Sequence, residues 1–332
     1  MFRKRRLLPI IEGAALFFLA SGGRSPAAET PAPLEPAVFL AVDRAGDRVV
    51  VVGERGLIRY SDDRGATWKR AMVPTDVTLT AVRFADERTG WAAGHEGVIL
   101  KTTDTGASWV AVREPSAPDP SAGSTSFFTE RAPLFDILPV DSGRVWAVGA
   151  YGTALRSDDG GARWAPVSIE GKHDLHLFAL IRDRRNVLWA AGEAGALYVS
   201  RDDGRSWVRQ AQLTPGSFFG AAPTDEGGIL LFGLRGRVFQ RSPAGGWRSL
   251  PGLPERSLHG SAPLGPDRIL LGGAGGTLVF VDTRTGKTVL RRLPVTRDIH
   301  CLLALDPDTV LVFSDGDTAT YSVKALLEGT RP

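Results

Sequence analysis

A Gly-x-x-Gly phrase returning about every 40 residues constrains this chain more than any other feature. It runs from Gly53 to Gly56, Gly94 to Gly97, Gly149 to Gly152, Gly192 to Gly195, Gly233 to Gly236 and Gly273 to Gly276, with a degenerate seventh copy from Ser314 to Asp317. Successive copies stand 40 to 43 residues apart, except for one interval of 55 that holds the segment 115–132. That segment is rich in Pro, Ser and Ala and reads as an inserted surface loop. A fixed period of this size signals a repeat architecture, in which each supersecondary unit buries its apolar faces against its neighbours.

One unit shows the anatomy. Residues 78–85 form an apolar, β-branched run, 86–89 a turn, and Gly90–Gly94 a second run. Residues 98–102 make a third run, 103–107 a turn and 109–113 a fourth. Short runs of this kind, punctuated by Asp, Gly and Thr, predict four antiparallel strands, which is one blade of a propeller. Two columns persist through all seven copies. One holds Phe39, Thr80, Phe135, Phe178, Phe219, His259 and His300; the position before it holds Val38, Leu79, Leu134, Leu177, Phe218, Leu258 and Ile299. The expected fold is therefore all-β: a seven-bladed β-propeller of four-stranded antiparallel blades spanning residues 28–332, with helix only near 324–328. The seventh unit ends after three strands. The segment just before Val38 is expected to supply its fourth.

A second motif sits between the third and fourth strands. It reads SDDRGATW from Ser61 to Trp68, TTDTGASW from Thr102 to Trp109, SDDGGARW from Ser157 to Trp164 and SRDDGRSW from Ser200 to Trp207, then decays in later copies. Ser and Asp side chains there are placed to bond backbone N–H groups, Gly to take positive φ, and Trp to fold back between strands. The motif resembles the Asp-box of bacterial neuraminidase repeats. It assigns a structural role to Ser61, Asp63, Gly65 and Trp68, to Asp104, Gly106 and Trp109, to Ser157, Asp159, Gly161 and Trp164, and to Ser200, Asp202, Gly204 and Trp207. The phrase from Gly90 through Asp104, echoed at Val145–Gly149 and Leu188–Gly192, resembles the photosystem II stability/assembly factor-like propellers. That resemblance implies a non-catalytic protein, acting in the thylakoid lumen or bacterial envelope, that holds newly made membrane-protein subunits during assembly.

Residues 1–27 read as a secretory signal peptide, with Arg3–Arg6 before the apolar stretch Leu7–Ala20 and a small-residue cleavage site at Ser25–Ala27. This leader carries a net charge of +4 and the remainder −1, so the basic pI of 9.2 reflects the leader. The body has no cationic excess with which to bind nucleic acid. Export to the periplasm or the outer face of the inner membrane is expected, or to the thylakoid lumen in a photosynthetic host. Cys301 is the only cysteine, so no internal disulfide forms.

An Asp-box glycosidase of sialidase type is the alternative reading. It needs three convergent arginines, a tyrosine nucleophile beside a glutamate and an aspartate acid, and no such constellation stands out. His176, His259 and His300 fall near the starts of first strands, where zinc is conceivable; the simpler reading makes them packing residues, and no metal or cofactor is expected. The Gly-x-x-Gly turns and the insert share one end of the ring. They present Arg55, His95, Glu96, Tyr151, Glu193 and Arg235, with Phe127 and Phe128 on the insert. This end is the expected docking surface for a protein partner, the chain itself being expected as a monomer; the alternative is that Phe127 and Phe128 plug the channel mouth.

Overall fold

The computed structural model describes residues 35–114, 131–169, 175–293 and 297–329. The leader and residues 115–130 of the insert, Phe127 and Phe128 among them, lie outside these residues. Seven small antiparallel sheets follow one another, six of four strands and a last of three, each with its strands in chain order. They form a seven-bladed β-propeller. The blades are Phe39–Arg70, Leu79–Arg113, Leu134–Pro166, Leu177–Arg209, Phe218–Ser249, Leu258–Arg292 and Ile299–Ser322.

Each blade buries both faces against its neighbours, which is why the sequence is apolar on consecutive residues and not on alternate ones. Val49, Val50, Val51 and Val52 of the first blade are all fully buried. Val50 and Val52 pack with Leu79, Val82, Ala92 and Leu100 of the second blade. Val49 and Val51 face the other way, into a cluster with Leu311 and Phe313 of the seventh blade. That cluster closes the ring.

The motif tryptophans wedge between blades. Trp207 of the fourth blade meets Trp146 of the third edge-to-face, with ring centroids 5.7 Å apart. Trp247 of the fifth meets Trp189 of the fourth at 6.2 Å. Trp68 of the first meets Phe313 of the seventh at 6.0 Å. Each is a large apolar body at the outer seam, where a blade would otherwise part from its predecessor.

Two expectations need correction. The seventh sheet has no fourth strand among the described residues, and 35–38 form none. Instead the chain leaves Ser322 into a short helix, Val323–Glu328, whose first turn is capped by the Ser322 hydroxyl accepting from the Ala325 N–H. Val323 and Leu326 pack with Ala262, Leu270, Phe280 and Leu302, and Arg291 donates to the Leu326 and Leu327 carbonyls. The helix thus fills the outer flank of the last two blades.

The second correction concerns the repeat column. In the second blade Leu79 pairs with Gly94 and Ala81 with Ala93, so Thr80 is bulged out of register. The same bulge takes Phe135, Phe178, Phe219, His259 and His300. In the first blade, whose opening hairpin is one residue shorter, Phe39 pairs with Gly53 and the bulged residue is Leu40. Phe39 belongs to the buried core. The column reads correctly only with Leu40 in place of Phe39.

Candidate functional site

Each of the six intact Gly-x-x-Gly phrases closes as one tight helical turn between the second and third strands. The first glycine is not there for positive φ. Gly94 has an extended φ of −168°, but a Cβ on it would stand 2.2 Å from the Thr78 carbonyl oxygen. The third residue is left-handed, as is the closing glycine: φ is 53° at Arg55, 54° at Glu96, 55° at Tyr151, 51° at Ala194 and 56° at Arg235. A non-glycine residue in that conformation is disfavoured by about 1–2 kcal/mol, and its recurrence in five turns makes it part of the turn itself. The result is a set of side chains presented in equivalent positions at one end of the ring.

Arg55, Glu96, Tyr151 and Arg235 occupy those positions and are exposed. Glu96 is paired with Arg131. The Tyr151 N–H donates to His176 Nδ1 at 3.0 Å, and the two rings meet edge-to-face at 5.1 Å. His95 is exposed one position earlier in its turn. Glu193 is half-buried and accepts from the His176 N–H at 3.1 Å. So topology brings Arg55, His95, Glu96, Tyr151, Glu193 and Arg235 to one end, with Tyr151 and Glu193 both held by His176.

The motif hairpins lie at the opposite end. Arg48, in the hairpin joining the first two strands, reaches Asp62 at 2.6 Å and the Thr105 hydroxyl at 2.9 Å. Their polar groups satisfy one another. The Ser61 hydroxyl donates to Asp63 Oδ1 and accepts from the Gly65 N–H; Asp63 also accepts from the Thr67 N–H; Trp68 Nε1 donates to the Gly65 carbonyl. The second and third copies repeat this bonding through Asp104 and Asp159, and the fourth repeats the carboxylate bonding through Asp202 without the tryptophan bond. The Ser206 hydroxyl and N–H, with the Ser200 hydroxyl, hold the Asp202 carboxyl at about 2. A carboxylate so committed has little left for a ligand.

The first strands wall a central channel. Near the Gly-x-x-Gly end the bulged residues Leu40, Thr80, Phe135, Phe178, Phe219, His259 and His300 line a cavity of about 270 Å³. Toward the other end a cavity of about 500 Å³ has apolar walls with Arg44, Arg182 and Arg184. Arg83 lines both. Its charge acts on Asp43 and Asp136. Asp43 accepts the Phe84 N–H and Asp136 the Leu180 N–H, each at 2.8 Å and each from the following blade. Burial pushes both carboxyls up, and Arg83 pulls them back. None of the four tyrosines lines either channel cavity. The sequence reading passed over Asp43, Arg83 and Asp136, although a charged residue inside an otherwise apolar first strand was their signal.

The model of the family described as photosynthesis system II assembly factor YCF48 matches residues 64–168. Over those residues the chain resembles the photosystem II assembly factors. The photosystem II assembly lipoprotein Ycf48 of Synechococcus sp. (strain CC9902) is 25% identical over 163 residues, covering 48% of this chain and 45% of that protein. The chloroplastic photosystem II stability/assembly factor HCF136 of Arabidopsis thaliana is 24% identical over 160 residues, 46% of this chain and 37% of that one. The chain thus covers less than half the length of either relative. The solved structure of YCF48 bound to D1 peptide superposes with a TM-score of 0.68 over 87% of this chain and 94% of that one; at 18% identity the likeness is one of fold.

The family match begins in the first motif hairpin and ends with the third blade. It therefore includes the turns bearing His95, Glu96 and Tyr151. Arg55, Glu193 and Arg235 fall outside it.

Proposed function

We propose that this propeller is a non-catalytic, exported scaffold that holds a protein partner, a membrane-protein complex or transporter of the cell envelope, at its Gly-x-x-Gly end. One observation carries the reading. The turns at this end hold Arg55, Glu96, Tyr151 and Arg235 exposed in one repeated left-handed conformation, whereas the motif hairpins at the other end spend their polar groups on themselves. Varied side chains on loops fixed by a rigid frame suit recognition. The likeness to photosystem II assembly factors supports a partner that is a membrane-protein subunit, and a YCF48 has been solved with D1 peptide bound.

Export rests on the leader-like residues 1–27. The absence of a glycosidase role rests on the commitment of the motif carboxylates and on the tyrosine-free channel. The test is capture of envelope membrane proteins by the mature chain. Arg55→Glu with Arg235→Glu should weaken capture while the fold persists. Turnover of an aryl glycoside, abolished by a single carboxylate change, would refute the non-catalytic reading.

A further inference from the structure

We propose that the channel mouth at the Gly-x-x-Gly end is a binding site for small phenols. Bulged residues from successive blades build its wall, and three are phenylalanines. Phe135 and Phe178 have ring centroids 5.3 Å apart, Phe178 and Phe219 5.5 Å, and the Phe219 ring lies 5.8 Å from that of His259. All are only half-buried, unlike the core aromatics behind them. A continuous aromatic arc left facing a cavity forgoes contacts that a ring-shaped guest would supply. A volume of about 270 Å³ is ample for one ring, since an apolar cavity of about 150 Å³ admits benzene.

His259 specifies what that ring carries. His259 Nδ1 lies 3.3 Å from the Ile299 carbonyl oxygen, which only accepts, so Nδ1 bears the hydrogen. Burial disfavours the charged imidazolium, so Nε2 is a bare acceptor. His300 Nε2 lies 2.7 Å from Asp315 Oδ1, an acceptor, so its hydrogen is committed there. His259 Nε2 has no partner among the described residues. The wall thus offers aromatic contact on one side and one unpaired acceptor on the other. A neutral aromatic molecule that donates a hydrogen bond matches both. A hydrocarbon leaves that imidazole unpaired, which costs affinity. This site does not depend on the partner-docking reading.

The test uses 4-fluorophenol and 4-fluoroanisole, which differ in the donor, with binding followed by fluorine NMR on the whole mature chain. Wild type should bind the phenol at least tenfold more tightly. Phe178→Ala should weaken both probes. His259→Phe with His300→Phe installs the residue that three other blades carry at the same position, so the fold is expected to stand; it should abolish the preference for phenol while keeping ring binding. If that variant does not fold, His259→Phe alone should cut the preference at least threefold. No binding, equal binding of the two probes by wild type, or a preference unchanged in the folded histidine variant would overturn the proposal.

Discussion

Asp136 accepts the backbone N–H of Leu180, 2.8 Å away on the next blade, and so ties the third blade to the fourth at the channel wall. Its other oxygen takes the Ile137 N–H at 2.9 Å. Asp136→Ala strands both donors in a buried place, and stability should fall by about 1–3 kcal/mol for each donor left unpaired. Asp136→Asn keeps an acceptor and should lose less. Chemical denaturation of the two variants checks the order.

The wedge tryptophans should not be equivalent. Trp207→Ala removes a buried indole from the seam with Trp146 and should cost about 3–5 kcal/mol. Trp207 Nε1 has no hydrogen-bond partner among the described residues, whereas Trp109 Nε1 donates to the Gly106 carbonyl at 3.0 Å. Trp207→Phe should therefore be milder than Trp109→Phe by about 1 kcal/mol, the net worth of one hydrogen bond. Denaturant midpoints of the pair measure this difference.

Gly94→Ala drives a Cβ to 2.2 Å from the Thr78 carbonyl oxygen. Backbone on both sides must move, and a loss above about 3 kcal/mol, or failure to accumulate folded protein, is expected. At Gly143 the nearest neighbour of an added Cβ is a side-chain oxygen 3.4 Å away. Gly143→Ala should change stability by less than about 0.5 kcal/mol. Thermal melts of both variants make the comparison.

The motif carboxylates should show in acid. Asp202 has its carboxyl lowered from 3.8 to about 2, chiefly by the Ser206 hydroxyl. The unfolded chain then binds more protons than the folded one between those values, so stability rises with pH there. The contribution is fully present above about pH 4 and is lost as pH falls through about 2. Asp202→Asn should lower the melting temperature at neutral pH and flatten its fall on acidification. A melt series from neutral pH to pH 2 distinguishes the two chains.

The blades were legible because their strands are short, apolar and separated by Gly and Asp; the second blade's inner pair is found at Leu79–Phe84 and Gly90–Gly94, within a residue or two of expectation. The bulge was not legible. It shifts one residue out of register without altering composition, so nothing in the column showed that Phe135, Phe178 and Phe219 face the channel. The tie between Tyr151 and His176 also escaped, because the partners stand 25 residues apart and meet only when two blades are set side by side. The helical flank of the seventh blade was hidden for a different reason: six residues, Val323–Glu328, carry too little pattern to show which seam they cover.

The central claim is that the Gly-x-x-Gly end holds the partner. A photo-crosslinking residue placed at Arg55 or Arg235, both exposed there, and at Arg205, exposed in a motif hairpin at the opposite end, tests it in envelope membranes. The account predicts adducts to one membrane-protein subunit from positions 55 and 235 and none from 205, with the adduct from 55 reduced by Arg235→Glu. Adducts from 205 alone, or equal yields from all three positions, would contradict it.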